Sequence, residues 1–356
     1  MKKIICLIES LGSGGAERQL TGLAVMLKQQ GYDVEVWYYA PKHFYSKDLD
    51  KAGVKYRFLE NAQNKYKRIG FIRHELLCAK PDTVITYLDS PSIIGCITKI
   101  TGGKFNLIVS ERNTTQQLRF RDKIKFYLYR FANHIVPNSY SQARFIENNY
   151  PNLTPKIKCI TNFVDTDKFR PTNKKEIHNK IRILTVARIM PQKNVINYIQ
   201  AIKIVAEKRR DFEVCWFGDS TNQEYYDECR RAIIEHKLED IFKFFPATSN
   251  IIEEYHKSDI FCLPSLYEGF PNVVCEAMSC GLPVICSDVS DNSRIISPNQ
   301  NGFLFDPNNI ESIAGAIDRI IACPSQQIES MRLSSVESSR AQFSARAFID
   351  KYINII

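Results

Sequence analysis

The amino-acid sequence predicts an α/β protein of two doubly wound domains, each a parallel sheet covered by helices on both faces. Three observations carry this. Short apolar runs rich in β-branched and aromatic residues alternate with helix-period patterns along the whole chain. The alternation starts afresh at Ile181, after a polar stretch, 165–180, that carries Pro171. The chain's 356 residues suffice for two domains with separate cores.

In order, "IICLIES" reads as the first strand, and "AERQLTGLAVMLKQQ" as a helix with apolar residues at Leu20, Leu23, Ala24 and Leu27, stopped by Gly31. "DVEVWYY", "DTVITYL", "FNLIVSE", "HIVPN" and "KIKCIT" supply further strands. The second series is "IRILTVARI", a helix over Val195–Glu207, "FEVCWFG", a helix from Gln223 to His236, "IFKFF", a short helix near Ile251–His256, and "DIFCLP". The terminal "FSARAFIDKYINII" is an amphipathic helix that either caps its own domain or crosses back to the first.

Bulk properties exclude several classes. An apolar content of 44% with 24% charged residues is that of a globular chain. No run of about 18 apolar residues occurs, so no spanning helix is expected. "MKKIICLIES" starts like a signal peptide, yet its apolar run ends before Glu9, as a buried strand's would. Eleven cysteines without a CxxC, several inside strand patterns, point to reduced thiols in a cytoplasmic protein. Residues 1–170 hold 27 Lys and Arg against 15 Asp and Glu, and the remainder 21 against 24, so the two halves are expected to face different partners. No nucleic-acid-binding module accompanies the basic half.

Three stretches carry chemistry. The first strand runs into "LGSGGAERQL", where glycines at 12, 14 and 15 precede a helix N-terminus, an arrangement suited to a phosphate or simply to a tight strand-to-helix turn. A dinucleotide fingerprint would need glycine where Glu17 stands. "IRILTVARIM" ends at Arg188 with Lys193 following, two cations at the carboxyl end of a first strand, where open α/β sheets bind ligands. The third stretch is "YEGFPNVVCEAMSCG". It places Glu268 in a Gly/Pro loop and Glu276 on a helix over Asn272–Ser279. No histidine or third carboxylate lies close in sequence, which disfavours a metal site. An acid/base pair, ligand binding and helix capping all remain compatible with the spacing.

Taken together, Gly14-Gly15, Arg188, Lys193, the E-x7-E pair Glu268/Glu276 and "GLPVICSD" closely resemble the retaining glycosyltransferases of family 4. Their GT-B fold sets two Rossmann-like domains facing each other across a cleft. The resemblance covers the whole chain: "ITNFVDTDKF" resembles the interdomain crossover and "FSARAFIDKYI" the helix that returns to the first domain. It implies an acceptor domain of residues 1–168 joined by 342–356, and a donor domain of 169–341.

The resemblance implies roles as well. Arg188 and Lys193 would neutralise the diphosphate of a nucleotide sugar, UDP-linked by expectation, with no metal or cofactor. Amides of Gly14 and Gly15 would complete that cradle. Glu276 would accept from both ribose hydroxyls and Glu268 from hydroxyls of the donor sugar. The backbone of Gly269, Phe270, Pro271, Asn272, Val273 and Val274 would meet sugar and diphosphate. Glu268, Arg188 and Lys193 would form the catalytic set, with front-face attack favoured over a covalent Glu268 intermediate. Arg112 stands where relatives often carry a histidine facing the acceptor and the donor sugar; it either binds an acceptor phosphate or is a surface residue, and with Asn113 it is expected at the acceptor. The crossover's usual N-G-V-D reads Asn162-Phe163-Val164-Asp165, and a frequent G-D-G reads Gly218-Asp219-Ser220.

Finally, "QQLRFRDKIKFYLYRFANHIV" interleaves Arg119, Arg121, Lys123 and Lys125 with aromatic residues, and "NKYKRIGFIRH" adds further cations. Such a helix settles on an anionic membrane, or it is a half-buried helix with a solvated basic face. The expectation is a hexosyl or N-acetylhexosaminyl transferase, peripheral on the cytoplasmic face of the inner membrane. Its acceptor would be a polyisoprenyl diphosphate-linked saccharide of surface-polysaccharide assembly. A nucleotide-sugar epimerase of the same fold and a non-catalytic sugar-nucleotide-binding subunit are the rival readings.

Overall fold

The structure, a computed structural model, describes residues 1–113, 115, 118–172 and 179–356. Gln116 and Gln117 of the basic aromatic stretch, and part of the polar stretch 165–180, lie outside the described residues. The chain forms two compact units, Met1–Phe163 with Ala345–Ile356, and Val164–Ser344. The division falls at 163/164, where the sequence sets it at 168/169.

Among the described residues, each unit holds a six-stranded, wholly parallel sheet. In the first, β1 (Lys3–Ile8), β2 (Asp33–Tyr38), β3 (Lys55–Phe58), β4 (Thr83–Tyr87), β5 (Asn106–Glu111) and β6 (His134–Pro137) lie in the order β3-β2-β1-β4-β5-β6. In the second, β7 (Ile181–Val186), β8 (Phe212–Phe217), β9 (Phe242–Phe245), β10 (Ile260–Leu263), β11 (Val284–Ser287) and β12 (Gly302–Phe305) lie in the order β12-β11-β10-β7-β8-β9. The winding direction therefore reverses beside β1 and beside β7. The carboxyl ends of these two strands are where a doubly wound sheet leaves room for a ligand.

"KIKCIT" is not a strand. After a 3₁₀ turn over Pro151–Lys156, Ile157 makes an isolated bridge to Ile135, and Lys158 and Ile160 donate to Ile135 and Pro137 at 2.9 and 3.1 Å. The segment then leaves for the unit boundary before a ladder forms.

One face of the first sheet is closed by helices from opposite ends of the chain. Helix Gly15–Gln29 buries Leu20, Leu23 and Leu27 there, and helix Ala345–Ile353 buries Phe348, Ile349 and Tyr352. Helices Arg68–Ala79, Asp89–Ile100, Phe120–Tyr129 and Tyr140–Asn149 pack on the other face. The terminal helix is separated from helix Ser325–Phe343 at Ser344, whose φ of −62° and ψ of 154° are extended. No helix among the described residues is long and apolar enough to cross a membrane.

The helical phase corrects one expectation. Lys125, expected on a basic outer surface, turns inward and is buried with Phe126 and Tyr129. Helix period places 122, 125, 126 and 129 on one face, so Lys125 shares the face that packs on the sheet. Arg119, Arg121 and Lys123 are exposed.

Phe163, second residue of the Asn162–Asp165 stretch, is locked rather than free. Its N–H donates to Gln19 Oε1 and its carbonyl accepts from Gln19 Nε2, both at 2.9 Å. Its ring lies against Phe348, with centroids 5.1 Å apart, and against Gly22. A Cβ on Gly22 would come within 2.2 Å of that ring. Gly22→Ala should therefore destabilise the protein by about 1–2 kcal/mol, overpacking outweighing the roughly 1 kcal/mol gain in helix propensity. A melting temperature equal to or above wild type would contradict this packing.

Candidate functional site

In unit 2 the loops after β7 and β10 are fastened together. Leu266 N–H donates to the Gln192 carbonyl at 2.9 Å, and Gln192 Nε2 returns a bond to the Tyr267 carbonyl at 2.9 Å. Asn194 adopts a left-handed conformation, φ 59°, held by its side chain's 2.7 Å bond to the Pro307 carbonyl. This brace brings Lys193 Nζ to 2.5 Å from Glu268 Oε1, with side-chain exposures of 14% and 10%. Glu268 is fixed from behind as well. Ser290 Oγ accepts its N–H at 3.2 Å and donates to its carbonyl at 2.5 Å. An ammonium carries three N–H groups, so Lys193 can orient Glu268 and still offer protons to an anion. Arg188 is exposed, with no recorded partner among the described residues.

Glu276 sits in the second turn of helix Asn272–Ser279 and is 5% exposed. Tyr255 OH, itself buried, donates to its Oε2 at 3.2 Å. Cys275 and Cys280 flank it, and burial, with the Glu276 charge adding, pushes both thiols upward, so neither offers a thiolate nucleophile.

The amide cradle expected over 269–274 is narrower than its length suggests. Pro271 has no N–H, Asn272 N–H is turned onto the Phe270 carbonyl at 3.0 Å, and Val274 N–H onto the Pro271 carbonyl at 3.0 Å. Gly269, Phe270 and Val273 keep amides without a recorded acceptor among the described residues, beside the helix's positive end.

A pocket of about 290 Å³ opens at the carboxyl ends of β7, β8 and β9, lined in part by Ile189, Gly218, Asp219, Ser220, Tyr226 and Phe244. Two flat aromatic rings and short polar side chains suit a heteroaromatic ring. Asp219 Oδ1 accepts from Ala247 N–H at 3.0 Å, and Ser220 Oγ donates to the Ile189 carbonyl at 3.0 Å, so both side chains hold the rim. Sequence reasoning missed Tyr226 and Phe244. The signal within reach was Gly218-Asp219 at the end of β8.

Gly218 is required by close approach. Its missing Cβ would lie 2.0 Å from the Ala187 carbonyl oxygen, which also accepts from Trp216 Nε1 at 2.7 Å. Gly218→Ala should lower stability by about 2–3 kcal/mol, since backbone must shift. Gly315→Ala, with nothing within 4 Å of the added methyl, should be neutral or stabilising. Equal melting temperatures for the two variants would contradict the assignment.

In unit 1 the glycine turn after β1 is occupied by a side chain. Glu17 folds back so that a Cβ on Gly14 would touch its Oε2 at 2.3 Å, and Ser10 Oγ donates to its Oε1 at 3.2 Å. Gly14 and Gly15 are exposed at the helix N-terminus, with a carboxylate already beside them. Arg112 is engaged too. Its Nη1 donates to Asn162 Oδ1 at 2.7 Å, and its Nη2 to the hydroxyls of Tyr87 and Tyr352 at 2.6 and 2.9 Å. Its guanidinium lies 4.2 Å from the Tyr87 ring centroid. Asn113, next to it, is exposed.

The chain is similar to several known proteins. Residues 13–168 match the model for Glycosyltransferase Family 4, and residues 166–337 the model for Glycosyl transferases group 1. A Campylobacter jejuni N-acetylgalactosamine-N,N'-diacetylbacillosaminyl-diphospho-undecaprenol 4-alpha-N-acetylgalactosaminyltransferase is 24% identical over 98% of this chain and 96% of its own. An Escherichia coli UDP-Gal:alpha-D-GlcNAc-diphosphoundecaprenol alpha-1,3-galactosyltransferase is 32% identical over 46% of this chain and 45% of its own. The structure of Anabaena HepE in complex with UDP superposes with a TM-score of 0.85 over 99% of both chains at 20% identity, a likeness of fold. With the two family models meeting near the unit boundary and together spanning 13–337, the chain belongs to the family 4 glycosyltransferases of GT-B fold.

Proposed function

We propose that this glycosyltransferase moves a hexose or N-acetylhexosamine from a UDP-sugar to a polyisoprenyl diphosphate-linked saccharide, with retention of configuration and without a metal. The observation that carries the donor half is the braced Lys193–Glu268 pair in the loops after β7 and β10, with Glu276 on the helix that follows and the ring-sized pocket at the ends of β7, β8 and β9. In this reading the base enters the pocket beside Tyr226 and Phe244, and Glu276 takes the ribose hydroxyls. Lys193 and Arg188 meet the diphosphate, and Glu268 holds the sugar. The acceptor oxygen bonds to the anomeric carbon on the face from which the diphosphate departs. Its proton passes to the leaving phosphate, and the two cations stabilise the charge that develops there. The acceptor class is supported by the names of the Campylobacter and Escherichia relatives, both of which act on diphosphoundecaprenol-linked sugars.

The site of action we propose is the cytoplasmic face of an anionic membrane. Along helix Phe120–Tyr129 and just beyond it, Phe120, Ile124, Tyr127 and Phe131 are exposed, flanked by Arg121, Lys123 and Arg130. Apolar side chains beside cations suit a lipid headgroup region.

Incubation with a panel of nucleotide sugars, with and without bacterial lipid extract, tests the reaction. Nucleoside diphosphate release only with extract supports transfer, and donor conversion without it would establish an epimerase instead. Glu276→Ala should weaken UDP binding by about 1.5–3 kcal/mol through lost charge-assisted bonds. Unaltered UDP affinity would remove the ribose role. Replacing Arg121 and Lys123 by glutamate should abolish co-sedimentation with phosphatidylglycerol vesicles, and undiminished binding would refute the membrane surface.

A further inference from the structure

Beneath the carboxyl ends of β4 and β5, one cation is buried among three carboxylates. Lys125 Nζ lies 2.9 Å from Glu111 Oε2, 3.1 Å from Asp89 Oδ1 and 3.8 Å from Asp122 Oδ1. The Lys125 side chain is 3% exposed and that of Glu111 is fully buried. Tyr129 OH donates to Glu111 Oε2 at 3.2 Å. Burial pushes the Glu111 carboxyl upward, and the Lys125 charge is the main force opposing it. A buried ion pair rarely adds net stability, because desolvating both charges cancels most of the attraction, so its use here calls for another reason.

The surroundings supply one. The same carboxylates that face Lys125 also hold backbone of the segment joining β5 to helix Phe120–Tyr129. Glu111 Oε1 accepts from Asn113 N–H at 3.4 Å, and Asp122 Oδ2 from Arg119 N–H at 3.0 Å. Between them, Thr115 N–H donates to Oε1 of the buried Gln142 at 3.0 Å, and Gln142 Nε2 returns a bond to Thr115 Oγ1 at 3.2 Å. Asp89, the third carboxylate, follows Leu88, whose φ of 74° and ψ of 168° are strained for a residue with a side chain. Strain of that kind persists where surrounding contacts enforce it, and it gathers at functional edges of a fold.

We infer that Glu111 and Lys125 are positioning residues for the acceptor: their buried pair, with Asp89 and Asp122, fixes the segment that presents Asn113. The pair touches no substrate itself. It holds the backbone of Asn113 and Arg119 from beneath. The inference rests on the expectation, drawn from the family resemblance, that the acceptor meets Arg112 and Asn113.

The test compares Lys125→Met, Lys125→Arg, the double variant Glu111→Gln/Lys125→Met, and Asn113→Ala, using bacterial lipid extract in detergent micelles so that vesicle binding plays no part. Lys125→Met should speed amide exchange at Asn113 and Thr115 and raise the extract concentration for half-maximal turnover by about tenfold, with donor KM and UDP affinity within about twofold. Lys125→Arg should restore most of the acceptor response. The double variant removes both charges, so it should recover the melting temperature while leaving the acceptor response impaired; this separates positioning from stability and serves if Lys125→Met fails to fold. Wild-type acceptor dependence in a folded Lys125→Met or double variant, with Asn113→Ala impaired, overturns the positioning inference alone. Wild-type dependence in Asn113→Ala as well overturns the acceptor reading on which it rests.

Discussion

Unit 1 depends on burying one face of its sheet under two helices drawn from opposite ends of the chain. Leu20, Leu23 and Leu27 come from one, Phe348, Ile349 and Tyr352 from the other. Each such side chain contributes on the order of 1.5–3 kcal/mol when taken fully from water. Neither helix closes the face alone. Much of what surrounds the first sheet's carboxyl edge follows from this closure. Tyr352 brings its hydroxyl to Tyr87 at 3.0 Å, and Arg112 bonds both hydroxyls together with Asn162. Arg112 thereby joins β4, the segment before the unit boundary and the terminal helix.

The two units treat charge differently. In unit 2 the loops after the strands leave Arg188 exposed and the Lys193–Glu268 pair with side-chain exposures of 14% and 10%. In unit 1 the corresponding edge hides its charges, with Lys125 and Glu111 beneath the segment they hold. One arrangement presents charge to a ligand, and the other uses charge to shape backbone. The cost differs in degree, because a pair with side-chain exposures of 14% and 10% retains some hydration, while one at 3% and 0% depends on every neighbour being in place.

Much of this was legible in the sequence, for physical reasons that also explain the exceptions. Buried parallel strands read as apolar runs, so β1, β4, β5, β7, β8 and β10 stand out. β3 does not, since "KYRF" is an edge strand that puts Lys55 and Arg57 outward, and charge masks its alternation. "KIKCIT" has strand composition but gains only scattered bonds beside β6, and composition does not supply a neighbour. Glu268 and Glu276 could be named from spacing, because one loop and one helix set both. Tyr226 and Phe244 could not, since their meeting depends on how the first turn of helix Gln223–Glu235 lies beside the end of β9. Lys125 shows the limit for charge: a count of basic residues has no phase, and only the helix's packed face decides which cation points inward.

The break at Ser344 has a further consequence, for the order in which the chain becomes native. Unit 2 is one continuous segment, Val164–Ser344, but unit 1 needs Ala345–Ile356. On the ribosome, residues 1–163 emerge first yet cannot cover their sheet until all of unit 2 has been polymerised, a delay on the order of ten to forty seconds at about 5–20 residues per second. Through that interval the nascent sheet carries an open apolar trough shaped for a helix, a natural ligand for a holding chaperone. The domain made first is thus the one that finishes last.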